Sequence, residues 1–190
     1  MAINTLYLDR GIMKSAKSAY GSQYPKNIRL EKFFQSSVFS LLQKTLNNSI
    51  YKLKFEPYEC RYFTTKAKAI DSFLNGRYFE DLIHNLLEIK KYRLEYEIRK
   101  FGPANYTLLH DEKKDAPGID FILNLSNVGK TYGGYTVYLT ETEELLQVNP
   151  IPNTLTFIER TKEIIKYTKY VTHRQKNPII EVAGTVFEIR

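Results

Sequence analysis

Leu94-Glu95-Tyr96-Glu97-Ile98-Arg99 sets an apolar side chain at every second position and a charge between. A period of two belongs to a strand with one face in water. The stretch marks a boundary, because the sequence before it follows a different period. Leu30, Phe33, Phe34, Val38, Leu41, Leu42 and Leu46 recur at three- and four-residue steps, and so do Phe79, Leu82, Ile83, Leu86 and Leu87. Each set falls on one face of a helix. Residues 29–92 therefore read as mostly helical, with a short alternating strand at 51–55 and a loop at 57–65. After Arg93 further strands are expected at 105–110, 119–125, 135–139, 145–148, 154–158, 164–172 and 179–189. Gly102-Pro103, Pro117-Gly118, Gly133-Gly134, residues 150–153 and Lys176-Asn177-Pro178 punctuate them, as turn residues do. Helices first and strands later make the chain α+β, and short strands at this spacing suit an antiparallel sandwich or barrel. Residues 1–28, broken by Gly11, Gly21 and Pro25, read as a partly ordered lead.

Composition narrows the class. The chain has 190 residues, 43% of them hydrophobic, with 15 Tyr and 11 Phe; a solvated coil does not carry so many rings. One cysteine, Cys60, excludes an internal disulfide framework and a cysteine-based zinc cluster. No apolar run approaches the roughly 20 residues that span a bilayer. Arg10, Lys14 and Lys17 interrupt any signal-peptide core, although residues 10–29 hold basic and Ser residues and no acid, as transit peptides do. An intracellular, cytoplasmic location and no membrane partner are expected. The net charge of +7 makes this a basic protein and permits an anionic partner without naming one. Gly129-Lys130-Thr131 lacks the upstream Gly of a phosphate loop.

Several stretches, taken in order, resemble one family. The segment from Tyr96 through Gly102-Pro103 to His110-Asp111-Glu112 resembles the approach to the metal site of prolyl-hydroxylase-like 2-oxoglutarate/Fe(II) dioxygenases, where a strand leads through a Gly turn to His-x-Asp. Ile119-Asp120-Phe121-Ile122-Leu123-Asn124, Gly133-Gly134-Tyr135-Thr136-Val137-Tyr138, Pro152-Asn153-Thr154-Leu155-Thr156-Phe157 and Ile180-Glu181-Val182-Ala183-Gly184-Thr185-Val186-Phe187 resemble that family's following core strands. The resemblance covers residues 29–190. It implies a double-stranded β-helix, or jelly roll, at 93–190, with the helices of 29–92 packed against it.

It also implies a site, and the chain departs from that site. The family holds Fe(II) with two His and one carboxylate, leaving positions for 2-oxoglutarate and oxygen. His110 matches the first ligand. The acid two residues on is Glu112 rather than Asp, which displaces the carboxylate by roughly 1 Å against a metal tolerance of about ±0.2 Å; backbone adjustment can absorb this, so His110 and Glu112 stand as the candidate metal ligands. The distal histidine precedes a Val by five residues; here Val171 takes the Val position and Lys166 the ligand position. Deprotonating a lysine at neutral pH costs about 4–5 kcal/mol. The 2-oxoglutarate cation, five residues before Gly184, is replaced by Ile179. His173 is a poor substitute at a turn, and His84 is expected on the helix surface. An ion pair between Lys166 and Glu112, the ammonium standing in for the metal, is one expected consequence.

Three functions follow. A degenerate dioxygenase-like module would bind no cofactor and would serve an unidentified protein partner in a binding or structural role. An active, divergent hydroxylase of a protein or peptide would use Fe(II) and 2-oxoglutarate. A nucleic-acid or ribonucleoprotein partner would exploit basic and aromatic residues interleaved at 51–55, 90–93 and 166–170.

Overall fold

The computed structural model describes residues 3–109 and 116–189. Two antiparallel sheets face each other, with helices on the outside of the larger one. The large sheet is ordered β1 (Asn27–Leu30), β9 (Thr154–Arg160), β6 (Gly118–Asn124), β11 (Ile179–Glu188), β4 (Tyr92–Phe101), β3 (Cys60–Thr65) and β2 (Lys52–Glu56), and β5 (Tyr106–Thr107) pairs with β3. The small sheet is ordered β10 (Ile165–Thr168), β7 (Thr136–Leu139) and β8 (Glu144–Val148). The fold is the double-stranded β-helix of an α+β protein, as the resemblance implies.

Burial follows the period of two. Phe121 and Leu123 of β6, Leu155 and Phe157 of β9, and Val182 and Val186 of β11 face outward into the main core. Four helices cover that face: α1 (Arg10–Gly21), α2 (Ser36–Asn47), α3 (Lys68–Leu74) and α4 (Arg77–Leu82). A relay of rings joins the layers: Phe33–Phe34 at 4.9 Å, Phe34–Phe73 at 5.0 Å, Phe73–Phe79 at 5.5 Å and Phe79–Phe121 at 5.4 Å. Edge-to-face geometry dominates it, which suits the charge distribution of aromatic rings. Ile122, Tyr138, Val148, Ile158 and Ile164 form a second cluster between the sheets.

Three local expectations are corrected. Residues expected as a partly ordered lead form α1 and β1. Asp9 caps α1 by accepting a hydrogen bond from the Ile12 amide at 2.9 Å, and Ile3 and Tyr20 are buried. The expected helix over Leu30–Leu46 begins only at Ser36; Phe33 and Phe34 follow a turn at Glu31 and Lys32, Phe34 bridges to Ile3, and Asn153 clasps it, its amide accepting from the Phe34 N–H at 2.8 Å and donating to the Phe34 carbonyl at 2.9 Å. The loop expected at 57–65 contains β3, whose Cys60 and Tyr62 turn inward while Arg61 and Phe63 face out. A fourth expectation also shifts: His84 sits in a π-helical turn, Ile83–Leu87, half-buried beside Tyr92 rather than on the surface.

No helix among the described residues is long and apolar enough to cross a membrane.

Candidate functional site

The inner face of the large sheet is polar. Register places Glu95, Thr185, Asp120 and Ile158 in one row across β4, β11, β6 and β9, and Arg99, Glu181, Asn124 and Thr154 in another. Asp120 is 1% exposed. A lone carboxylate there would cost several kcal/mol, and five donors meet it. Thr185 Oγ1 donates to Oδ1 at 2.7 Å, and Arg160 donates to both oxygens at 3.0 and 3.3 Å. Lys166 Nζ reaches Oδ2 at 2.7 Å, and Tyr138 Oη reaches it at 3.2 Å. Burial alone would raise this carboxyl, but Lys166 and then Arg160 overcome it and hold Asp120 below the usual range. Burial pulls Lys166 below the ordinary lysine value, against the attraction of Asp120. Lys166 and Tyr138 are register partners on β10 and β7, so the carboxylate bolts the small sheet to the large one.

A second cluster stands at the barrel mouth. Glu97 accepts from Tyr62 Oη at 2.7 Å, Lys54 Nζ at 3.1 Å and Arg99 Nε at 3.4 Å. The Tyr62 ring lies 5.5 Å from Lys54 Nζ and 5.3 Å from the Arg99 guanidinium. Burial would raise Glu97, yet Arg99, Tyr62 and Lys54 together lower it. Deeper in, Glu181 is 2% exposed and its Oε1 has no hydrogen-bond partner among the described residues. Burial raises its carboxyl despite the nearby charges of Arg99 and Lys166. A pocket of about 200 Å³ opens between these groups, with Arg99, Lys166, Tyr62, Thr136 and Thr168 in its wall.

Of the residues singled out from sequence, Lys166 reaches from β10 to Asp120 on the inner face of the large sheet. His110 and Glu112 lie outside the described residues, and so does any pairing of Lys166 with Glu112. Ile179 is fully buried in an apolar cluster with Cys60, Tyr62, Phe101 and Val171. His173 is exposed in a turn. Cys60 is buried, and burial pushes its thiol up. The sequence reading missed Asp120, Arg160 and Glu181. The signal was an acid inside the apolar run Ile119-Asp120-Phe121-Ile122-Leu123: a strand buried on both faces keeps such a residue only with a cation against it.

The described residues do not suit a divalent metal. Two cations, Arg160 and Lys166, converge on the one carboxylate of Asp120, which is saturated by five donors. No group of three His, Cys, Asp or Glu gathers among the described residues.

A sequence profile described as oxoglutarate and iron-dependent oxygenase degradation C-term matches residues 56–187. The chain belongs to this family. Prolyl 3-hydroxylase OGFOD1 from Mus musculus is 38% identical over 82 residues, which are 41% of this chain and 15% of that protein. The match therefore spans a small part of a much longer relative. Among solved structures, a prolyl-4-hydroxylase from Pseudomonas putida superposes with a TM-score of 0.68 at 12% identity, over 94% of this chain and all of that one. A prolyl hydroxylase from Trichoplax adhaerens, in complex with a hypoxia inducible factor peptide fragment, gives 0.67 at 9% identity over 97% and 92% of the two chains. At such identities the superpositions show the shared fold alone.

Proposed function

We propose that this chain is a non-catalytic barrel of the oxoglutarate/iron oxygenase type, acting as a binding or structural module toward a protein partner. One observation carries the reading: Lys166, at the distal ligand position, is tied at 2.7 Å to a buried carboxylate that also holds Arg160. An ammonium in that place occupies the coordination direction and repels a divalent ion. Ile179, buried in an apolar cluster where the cofactor's far carboxylate would need a cation, supports the same reading. So does the family description, which names a C-terminal part of such oxygenases. In this role the Asp120 network draws both sheets onto one centre of charge.

The test is turnover. The purified chain is incubated with Fe(II), ascorbate and 2-oxoglutarate, and succinate is measured. The expected result is no succinate above a protein-free control. Succinate formed in proportion to protein and abolished by a chelator would instead establish a divergent hydroxylase.

A further inference from the structure

The outer edge of β2 pairs with nothing among the described residues, because β2 ends the large sheet. Alternate N–H and C=O groups of Lys52–Glu56 therefore face solvent, a template for another strand. Proteins usually blunt such an edge with charge or proline. Here the central charge is turned away: Lys54 is engaged with Glu97 and the Tyr62 ring. On the outer face Leu53 is 51% and Phe55 55% exposed, and Phe63, opposite Leu53 on β3, is 36% exposed. That leaves Lys52 and Glu56, both exposed, at the two ends; Glu56 has only a loose 4.0 Å contact with Lys54.

We propose that β2 pairs antiparallel with β2 of a second copy of this chain, about a twofold axis through Lys54. This arrangement sets Lys52 against Glu56 of the second copy twice over, lines up Leu53 with Phe55, and brings Lys54 opposite Lys54 of the second copy, each ammonium neutralised by its own Glu97 at 3.1 Å. A parallel pairing would instead face Lys52 with Lys52 and Glu56 with Glu56, which like charges oppose. A two-residue slip would separate Lys52 from Glu56. Carried past the strand ends, the twofold register brings Ile50 toward Tyr58 of the second copy. These are the two most exposed large apolar side chains among the described residues, each at 87%. The contact is isologous, so it closes at two copies and does not propagate. It is independent of whether the barrel binds metal.

Sedimentation velocity across the micromolar range, in low-salt buffer where exposed charges are least screened, reads it out. The unmodified chain passes from monomer to dimer as concentration rises. Lys52→Glu alone and Glu56→Lys alone each weaken the dimer about tenfold, since two attractive pairs become repulsive. The double change Lys52→Glu with Glu56→Lys restores it. Amide exchange of residues 52–56 in the unmodified chain gives a readout free of mutation, slowing as concentration rises. A monomer throughout that range, a dimer indifferent to the single changes, or a double change that recovers nothing would overturn the proposal. In the last case an edge open to a different protein's strand becomes the better description.

Discussion

Asp120 and Glu181 are both buried carboxyls on the inner face of the same sheet, and their surroundings push them in opposite directions. Asp120 meets five donors, and its folded form favours the charged state, with a pKa below the usual range. Glu181 is raised, first by burial. The consequences for stability have opposite signs. The Asp120 contribution is fully present above the ordinary carboxylate range and is lost as pH falls through its lowered value. For Glu181 the folded state binds its proton more tightly than the unfolded chain does. Stability therefore declines as pH rises from the ordinary carboxylate range through its raised value. Replacing Asp120 with Asn leaves Arg160 and Lys166 without this counter-charge, and about 3–5 kcal/mol of folding stability is expected to go, measured by urea unfolding at neutral pH. Glu181→Gln removes the charge and keeps the shape. Its melting temperature is expected to exceed the parent's at neutral pH, and the difference is expected to vanish near pH 4. A Glu181→Gln variant less stable than its parent at neutral pH would show that the carboxylate has a partner there.

Among the elements, the strands were legible because each has one apolar face and turn residues at its ends. Leu94–Arg99 gave β4, and the run 119–124 gave β6, to within a residue or two. The elements that escaped have weaker periods. The buried stripe of α1 rests on Met13, Ala16 and Tyr20 behind a Gly at its second position, and the better sign was the cap at Asp9. β3 was hidden because Phe63 faces water while Tyr62 faces the core, which inverts nothing in hydropathy and so leaves no alternation to read. In the candidate site, Lys166 was singled out from spacing, whereas its contact with Asp120 was not legible, because a strand's register cannot be counted from one sequence. Two glycine positions set the spacing of these elements. Gly133, at φ +95°, approaches the Tyr170 carbonyl so closely that a Cβ would stand 2.0 Å from it. On β11, a Cβ at Gly184 would stand 2.4 Å from the Glu95 carbonyl and 2.6 Å from the Phe121 ring. Gly184→Ala must therefore spread β11 from β4 or displace Phe121, at a cost of about 1–3 kcal/mol, visible as a lowered denaturant midpoint with an unchanged slope. A variant as stable as its parent would mean that the sheet yields there freely.

For the molecule as a whole, the two sheets keep the frame of the oxygenase fold, and a buried network around Asp120 links their inner faces. Asp120 on the large sheet, Lys166 and Tyr138 on the small one, and Arg160 at the end of β9 tie the two sheets together through one buried carboxylate. Loss of the junction should be felt across the barrel and not at one strand, so the Asp120→Asn variant is also expected to speed amide exchange in both β6 and β10. The claim at the centre of the account is that this barrel leaves no place for a divalent ion. The most direct measurement is the electron paramagnetic resonance signal of free Mn(II), titrated with the protein in the presence of 2-oxoglutarate at neutral pH. The account predicts that the free-ion signal stays undiminished at equimolar protein. A stoichiometric loss of that signal, reversed by a chelator, would contradict it.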